Sequence, residues 1–259
     1  MSRSPDPKER FTNRVDFYAR YRPSYPRAVL DLLVAECGLA SASVVADVGS
    51  GTAILGELFL ENGNRVLGIE PNKEMREAGE RRLGGHPRFT SVAGSAEDTT
   101  LDDASVDFIV AGQAFHWFDP ARARVEFARI LKPAGWVALV WNLRRKDETP
   151  FLAAYERLLQ TYRTDRGETE FWRRSDEMAS ALFEPGSFET ATFDNEQALD
   201  LDGLKGRLLS ASYVPALGEP GSDEMLREAA KIFDAHESDG RVRVEYDTRV
   251  YYRHLAPRE

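Results

Sequence analysis

The chain of 259 residues has one cysteine, Cys37, so no intrachain disulfide can form. That fits a cytosolic protein, and the expected location is cytoplasmic. Cys37 sits in the apolar run Val29–Leu39 and reads as buried packing, not as a nucleophile. Four histidines, His86, His116, His236 and His254, are scattered along the chain. With the cysteine alone, no metal-ligand spacing appears, and no metal is expected. No stretch of about 18 apolar residues occurs, so no membrane helix is expected. The first ten residues, MSRSPDPKER, lack an apolar core of the secretory type and read as frayed. Positive charge is outnumbered: 34 Lys and Arg against 43 Asp and Glu give a net charge of −9, which argues against a general polyanion-binding role and leaves nucleic acid an unexpected partner. There is no G-x-S-x-G segment and no Walker loop.

What is present begins with organisation. From 44 to 142, short apolar runs alternate with helical patterns: VVADVG, RVLGIE, FTSVAG, SVDFIVAG and GWVALVWN read as strands. Ala53–Glu61, Asn72–Leu83 and Pro120–Leu131 read as the intervening helices, with Asn72 a candidate N-cap and Gly63 a C-terminal stop. That rhythm predicts βαβ units and a parallel sheet with right-handed connections. Ahead of it, Pro26–Leu39 is helical and closes at Gly38. Beyond it, residues 143–185 turn charged, with helical spacing in FLAAYERLLQTY. Phe188–Phe193 is a candidate strand, Asp200–Ala211 and Asp223–His236 candidate helices, and RVRVEYDTRVYYRHL a terminal strand or hairpin. The length suits one domain, with 10–142 its cofactor half and 143–259 its substrate-side elements.

The central motif is Asp47-Val-Gly49-Ser-Gly51-Thr-Ala53, which follows a strand and opens a helix. Gly49 allows a tight turn. Gly51 admits a ligand close to the backbone, and the helix N-terminus leaves N–H groups free. Glu70 closes the second strand, where a carboxylate accepts hydrogen bonds from ribose hydroxyls. Two nucleotide cofactors compete for such a loop. The dinucleotide fingerprint needs glycine where this chain has Ile54, which disfavours a pyrophosphate and an NAD(P) oxidoreductase. Asp47 repels phosphate but accepts from an ammonium. S-adenosylmethionine (SAM) has an ammonium and no phosphate, and is the favoured cofactor. A glycine turn without a ligand is the remaining alternative.

The sequence resembles the class I SAM-dependent methyltransferases over roughly residues 10–142. VVADVGSGTAILGE is similar to that family's first motif, VLGIEPNKEM to its second, VAGSAEDTTL to its third, DFIVAGQAFHWFD to its fourth and LKPAGWVALVWN to its fifth. FYARYRPSYP, with QAFHWFD and WN, further resembles a small-molecule subgroup that includes trans-aconitate methyltransferase-like proteins. The resemblance implies an α/β, Rossmann-like, doubly wound sheet of seven strands. It is mostly parallel, with an antiparallel last strand and a helical insertion after strand five. It also implies that Asp47, Gly49 and Gly51 meet the methionine part, Glu70 the ribose, and Asn72 and Met75 the ribose and adenine. Ser95, Ala96 and Glu97 would meet adenine, and Gln113 and Ala114 would lie beside the sulfonium. Ala53, where many members have a third glycine, is a departure that costs little.

The flanking residues carry two readings each. Tyr18, Tyr21 and Arg22, with Tyr25, either form a lid over SAM, with Arg22 on its carboxylate, or pack the first helix. His116 either acts as a base for a hydroxyl or amine acceptor or only shapes the pocket beside Trp117. Arg144 and Arg145 either bind an anionic substrate or are solvated charges. Trp141, Phe151, Trp172 and Tyr213 either line a substrate cavity or pack a core. The expected activity is methyl transfer from SAM to a small molecule, leaving S-adenosylhomocysteine. An oxygen acceptor is favoured, with a carboxylate the leading subclass. A non-catalytic SAM-binding sensor is the alternative. A monomer or homodimer without membrane partners is expected.

Overall fold

The computed structural model describes residues 14–164, 175–184 and 186–255. Trp172 lies outside them. Seven strands form one sheet in the order β3-β2-β1-β4-β5-β7-β6. They are β1 (Val44–Val48), β2 (Arg65–Ile69), β3 (Phe89–Val92), β4 (Val106–Gly112), β5 (Leu131–Arg144), β6 (Glu189–Leu199) and β7 (Val242–His254). The pairs β1–β2, β1–β4, β2–β3 and β4–β5 are parallel. The sheet is mostly parallel with an antiparallel strand pair. The order reverses at β1–β4, the position at which open α/β sheets form their ligand crevice.

The described residues fall into two compact units. One comprises 14–23, 143–164 and 194–247; the other comprises 24–142, 175–184, 186–193 and 248–255. Among the described residues, the chain passes between them after Pro23, Asn142, Phe193 and Asp247.

The larger unit is built on β1 to β4, whose residues are buried from Val45 to Val48 and from Phe108 to Ala111. Continuous apolar runs of this kind belong to strands covered on both faces. Helices α2 (Arg27–Cys37), α3 (Ile54–Glu61), α4 (Lys73–Leu83) and α5 (Pro120–Ile130) follow the predicted rhythm. Their ends obey local chemistry. Gly38 closes α2 in the left-handed conformation, at φ 68°. Asn72 caps α4 by accepting from the Met75 N–H. Asp119 caps α5, with Pro120 in its first turn. Strand β5 starts earlier than the GWVALVWN run: Val106 pairs with Leu131 and Phe108 with Trp136, and the intervening bulge absorbs Pro133. Helix α7 (Ser175–Phe183), not marked by the sequence pattern, buries Ala179, Leu182 and Phe183. Cys37 is buried, and burial pushes its thiol up to about 12.

The smaller unit has its own core of Phe151, Leu152, Tyr155, Leu158, Leu204, Leu208, Met225, Ala229 and Val244. It comes from α6 (Pro150–Thr161), α8 (Leu201–Leu209), α9 (Ser222–His236) and part of β7. Helix α1 (Val15–Tyr21) lies on α8. Gly206 makes that possible: a Cβ there would stand 2.2 Å from the Tyr21 ring. Strand β6 extends to Leu199, past the predicted Phe193, because Asp194, Asn195, Glu196 and Gln197 are strand residues despite being polar. Among the described residues, no helix is long and apolar enough to cross a membrane, and no group of side chains can hold a metal ion.

Candidate active site

The loop after β1 is three turns of left-handed backbone at alternate residues: Gly49 (φ 67°), Gly51 (φ 55°) and Ala53 (φ 61°). The first two need glycine. At Gly49 a Cβ would lie 2.6 Å from the Ala114 Cβ and 3.1 Å from the Phe118 ring, so sterics as well as φ exclude a side chain. At Ala53 a side chain is present in the unfavourable region, at a cost of about 1–2 kcal/mol. The departure from the motif therefore costs more than the small change in residue suggests, and the loop retains it. The Gly49 and Ser50 N–H groups both donate to the Ile69 carbonyl, at 2.9 and 3.0 Å.

Glu70 follows β2 and is 8% exposed. Its Oε2 accepts the Gly51 N–H at 2.9 Å and its Oε1 the Asn72 N–H at 2.8 Å. A carboxylate accepts about four hydrogen bonds, so lone pairs remain for a ligand hydroxyl. Burial raises its pKa, opposed by the Asn72 and Gly51 amides and by Arg76. Met75 lies against the same loop, its Cε 3.2 Å from the position of a Cβ on Gly51.

Asp47, on β1 beneath the loop, is 1% exposed, and neither carboxylate oxygen has a full hydrogen-bond partner. Burial pushes its pKa up to about 7; the Gly56 backbone amide opposes this and the Glu70 charge adds to it. The Thr52 hydroxyl is also buried and unpartnered. Orphaned buried acceptors of this kind cost free energy unless a ligand completes them. The donor set fits SAM: a buried acceptor for an ammonium, a ribose-competent carboxylate and a glycine loop. Ile54 opens α3 where a pyrophosphate would need glycine.

The third motif is partly engaged already. Glu97 accepts the Asp119 N–H at 2.8 Å, Ser95 pairs with Asp98 through backbone, and Ala96 is buried. At the end of β4, Gln113 is held at φ 55°, an outlier for a long side chain. Its N–H donates to the Val140 carbonyl at 2.9 Å, and its Nε2 to the Asn142 carbonyl at 2.8 Å. Asn142 in turn donates to the Ser24 carbonyl at 3.1 Å and accepts from the Thr248 hydroxyl at 2.6 Å. Asn142 and Thr248 were not among the predicted site residues; the signal for Asn142 was a buried polar residue ending an apolar strand. Tyr25 reaches the same strand end: a Cβ on Gly112 would lie 2.5 Å from its hydroxyl. His116 and Trp117 form a short 3-10 turn after it, rings 4.6 Å apart. Trp141 is core, edge-on to Tyr251 at 5.6 Å.

The remaining predicted residues lie in the smaller unit. The Arg22 guanidinium stands 4.6 Å over the Tyr18 ring, and Tyr21 is spent on α8. Arg144 and Arg145 part company. Arg145 pairs with Asp247 at 2.7 Å, Glu245 at 3.5 Å and Asp194, and has no charge to spare. Arg144 pairs with Glu156 and covers the Tyr155 ring at 5.1 Å. Phe151 stacks on Tyr155 in the core.

The strand order is that of a Rossmann-like methyltransferase fold. Residues 46–139 match the family model described as a methyltransferase domain. An uncharacterized methyltransferase of Mycobacterium tuberculosis is 42% identical over 134 residues, covering 52% of each chain. A Saccharomyces cerevisiae relative assigned as an S-adenosylmethionine-dependent methyltransferase is 30% identical over 141 residues, 51% of this chain and 47% of that one. A solved structure from Anaeromyxobacter dehalogenans, assigned as a type II methyltransferase, superposes with a TM-score of 0.70 at 27% identity. It covers 92% of this chain and 100% of that one. The chain spans about half the length of the curated relatives named here.

Proposed function

We propose that the protein transfers a methyl group from SAM to an oxygen of a small molecule, with a carboxylate as the leading acceptor. The observation that carries the cofactor is Asp47, a buried carboxylate without a full partner under the glycine loop. Glu70, beside it, keeps free lone pairs. SAM, when bound, would supply an activated methyl group for the acceptor oxygen, with S-adenosylhomocysteine as the other product. The chain's part is positioning and exclusion of water. Asp47 receives the ammonium, Glu70 the ribose hydroxyls, and Gln113 and Asn142 shape the strand ends. A carboxylate acceptor has no proton to lose, so His116 is not needed as a base for it. A hydroxyl acceptor would require that role.

Calorimetric titration with SAM, with NADH as control, tests this reading. Saturable SAM binding is expected, and no binding at millimolar SAM overturns it. Conversion of SAM to S-adenosylhomocysteine in the presence of a metabolite extract separates an enzyme from a SAM-binding sensor.

A further inference from the structure

Three arginines far apart in sequence share one environment in the smaller unit: Arg22 after α1, Arg144 at the end of β5 and Arg207 in α8. The Tyr213 phenol lies within electrostatic reach of all three. Arg207 is 6% exposed; its Nε donates to the Tyr246 hydroxyl at 3.2 Å and its Nη1 to the Ser210 hydroxyl at 3.3 Å. Arg22 donates through Nη2 to the Ser210 carbonyl at 2.8 Å. Its Nε is buried with no hydrogen-bond partner. Arg144 pairs with Glu156 through Nη2, while its Nη1 is likewise buried and unpartnered.

Charge is equally unbalanced. Glu156 is the one carboxylate paired with any of the three among the described residues, and it also serves Lys146 at 3.3 Å. Burial and the Arg207 charge together lower the Arg22 pKa, yet an arginine does not discharge near neutral pH. Concentrating like charges away from water costs several kcal/mol per ion. The same unit shows a buried arginine with a purely structural role. Arg14 donates to the carbonyls of Leu209, Ala211 and Val214 at 3.2, 2.5 and 2.6 Å, and it carries no orphaned nitrogen. Arg22 and Arg144 do not follow that pattern. Their spare donors and the excess positive charge, in a chain of net charge −9, are complementary to an anion.

We propose that Arg22, Arg144 and Arg207, with Tyr213, form an oxyanion site for a small acid carrying at least two negative charges. It is an anion site of the smaller unit and does not rest on the function proposed above. Arg145, one residue from Arg144, is excluded from it by its three carboxylates.

The test is calorimetry on the full chain at low ionic strength, with citrate, malonate and inorganic phosphate titrated without SAM, and SAM titrated separately. Citrate is expected to bind, with affinity at least tenfold weaker in Arg144→Gln and Arg207→Gln. Tyr213→Phe, which keeps every charge, serves if either arginine variant fails to fold, and is expected to weaken citrate severalfold. The proposal is overturned if none of the three anions saturates the protein, or if citrate binds equally to wild type, Arg144→Gln and Tyr213→Phe. It is also overturned if Arg22→Gln and Arg144→Gln weaken SAM and leave citrate untouched, because the cluster then serves the cofactor's own carboxylate. Citrate binding without SAM binding upholds the anion site and removes the methyltransferase reading instead.

Discussion

The Gly51 N–H donates to Glu70 Oε2 at 2.9 Å, tying the loop after β1 to the end of β2. The other oxygen of the same carboxylate holds the Asn72 amide, so Glu70 fixes both the glycine loop and the entry to α4. One residue thus organises the two backbone segments proposed to meet SAM. Glu70→Ala removes this clamp and the proposed ribose contact together. SAM affinity should fall by about 1–3 kcal/mol, the scale of lost charged hydrogen bonds, with a similar loss of stability from two stranded amides. Calorimetry and thermal melts read the two effects separately, and an unchanged SAM affinity takes Glu70 out of the site.

Asp47 predicts a pH dependence. Its carboxyl has a folded pKa of about 7, against 3.8 as the ordinary value, with burial the main cause. A raised acid stays protonated in the folded chain after it ionises in the unfolded one. The stability tied to it is full below about pH 4, declines through the interval, and is lost above about pH 7, by at most about 4 kcal/mol. Asp47→Asn should flatten that decline in the ligand-free protein and weaken SAM. In wild type, SAM should raise the melting temperature more at pH 8 than at pH 6, because ionised Asp47 then has its ammonium. Equal shifts at both pH values would contradict the assignment.

Gly49 separates fold from ligand. A methyl there meets the Ala114 Cβ and requires a left-handed backbone. Gly49→Ala should cost about 2–4 kcal/mol in chemical denaturation without any ligand present. A variant as stable as wild type would mean that the turn relaxes.

Much of this was legible in the sequence, for a physical reason. The loop, Glu70 and the Asn72 cap act over a few residues or along one βα unit, so spacing alone exposes them. The arginine cluster is nonlocal: Arg207 meets Tyr246 across 39 residues of sequence. Arg207 lies in a helix whose apolar pattern hides its buried face, and nothing in the local spacing marks it. One clue was available for Arg144. Strand side chains alternate in direction, so Arg144 shares a face of β5 with Asn142, while Arg145 does not. Polar strand residues such as Asp194 and Glu196 masked the length of β6 in the same way, because their composition reads as loop.

Arg145 provides the contrast to Arg144. Its partners Asp194, Glu245 and Asp247 are partly exposed, and such pairs contribute at most about 1 kcal/mol each. Arg145→Ala should therefore lower the melting temperature modestly and leave citrate affinity within twofold of wild type. A tenfold loss of citrate in this variant would place the anion on the Arg145 side and displace the cluster assigned above.

Gly206 controls how Arg22 is presented. Tyr21 precedes Arg22 and rests on α8 where glycine leaves room; a Cβ would stand 2.2 Å from its ring. Gly206→Ala improves helix propensity by about 1 kcal/mol, so a purely local effect would stabilise α8. Packing argues the other way, because overfilling a close contact costs about 1–3 kcal/mol and displaces the tyrosine. Moving Tyr21 moves Arg22, whose bond to the Ser210 carbonyl aligns it with Arg207. The variant should bind citrate more weakly and leave SAM affinity unchanged, because the glycine loop belongs to the other unit. Calorimetry with both ligands reads this directly, and citrate affinity equal to wild type would show that Arg22 is placed independently of the α1–α8 contact.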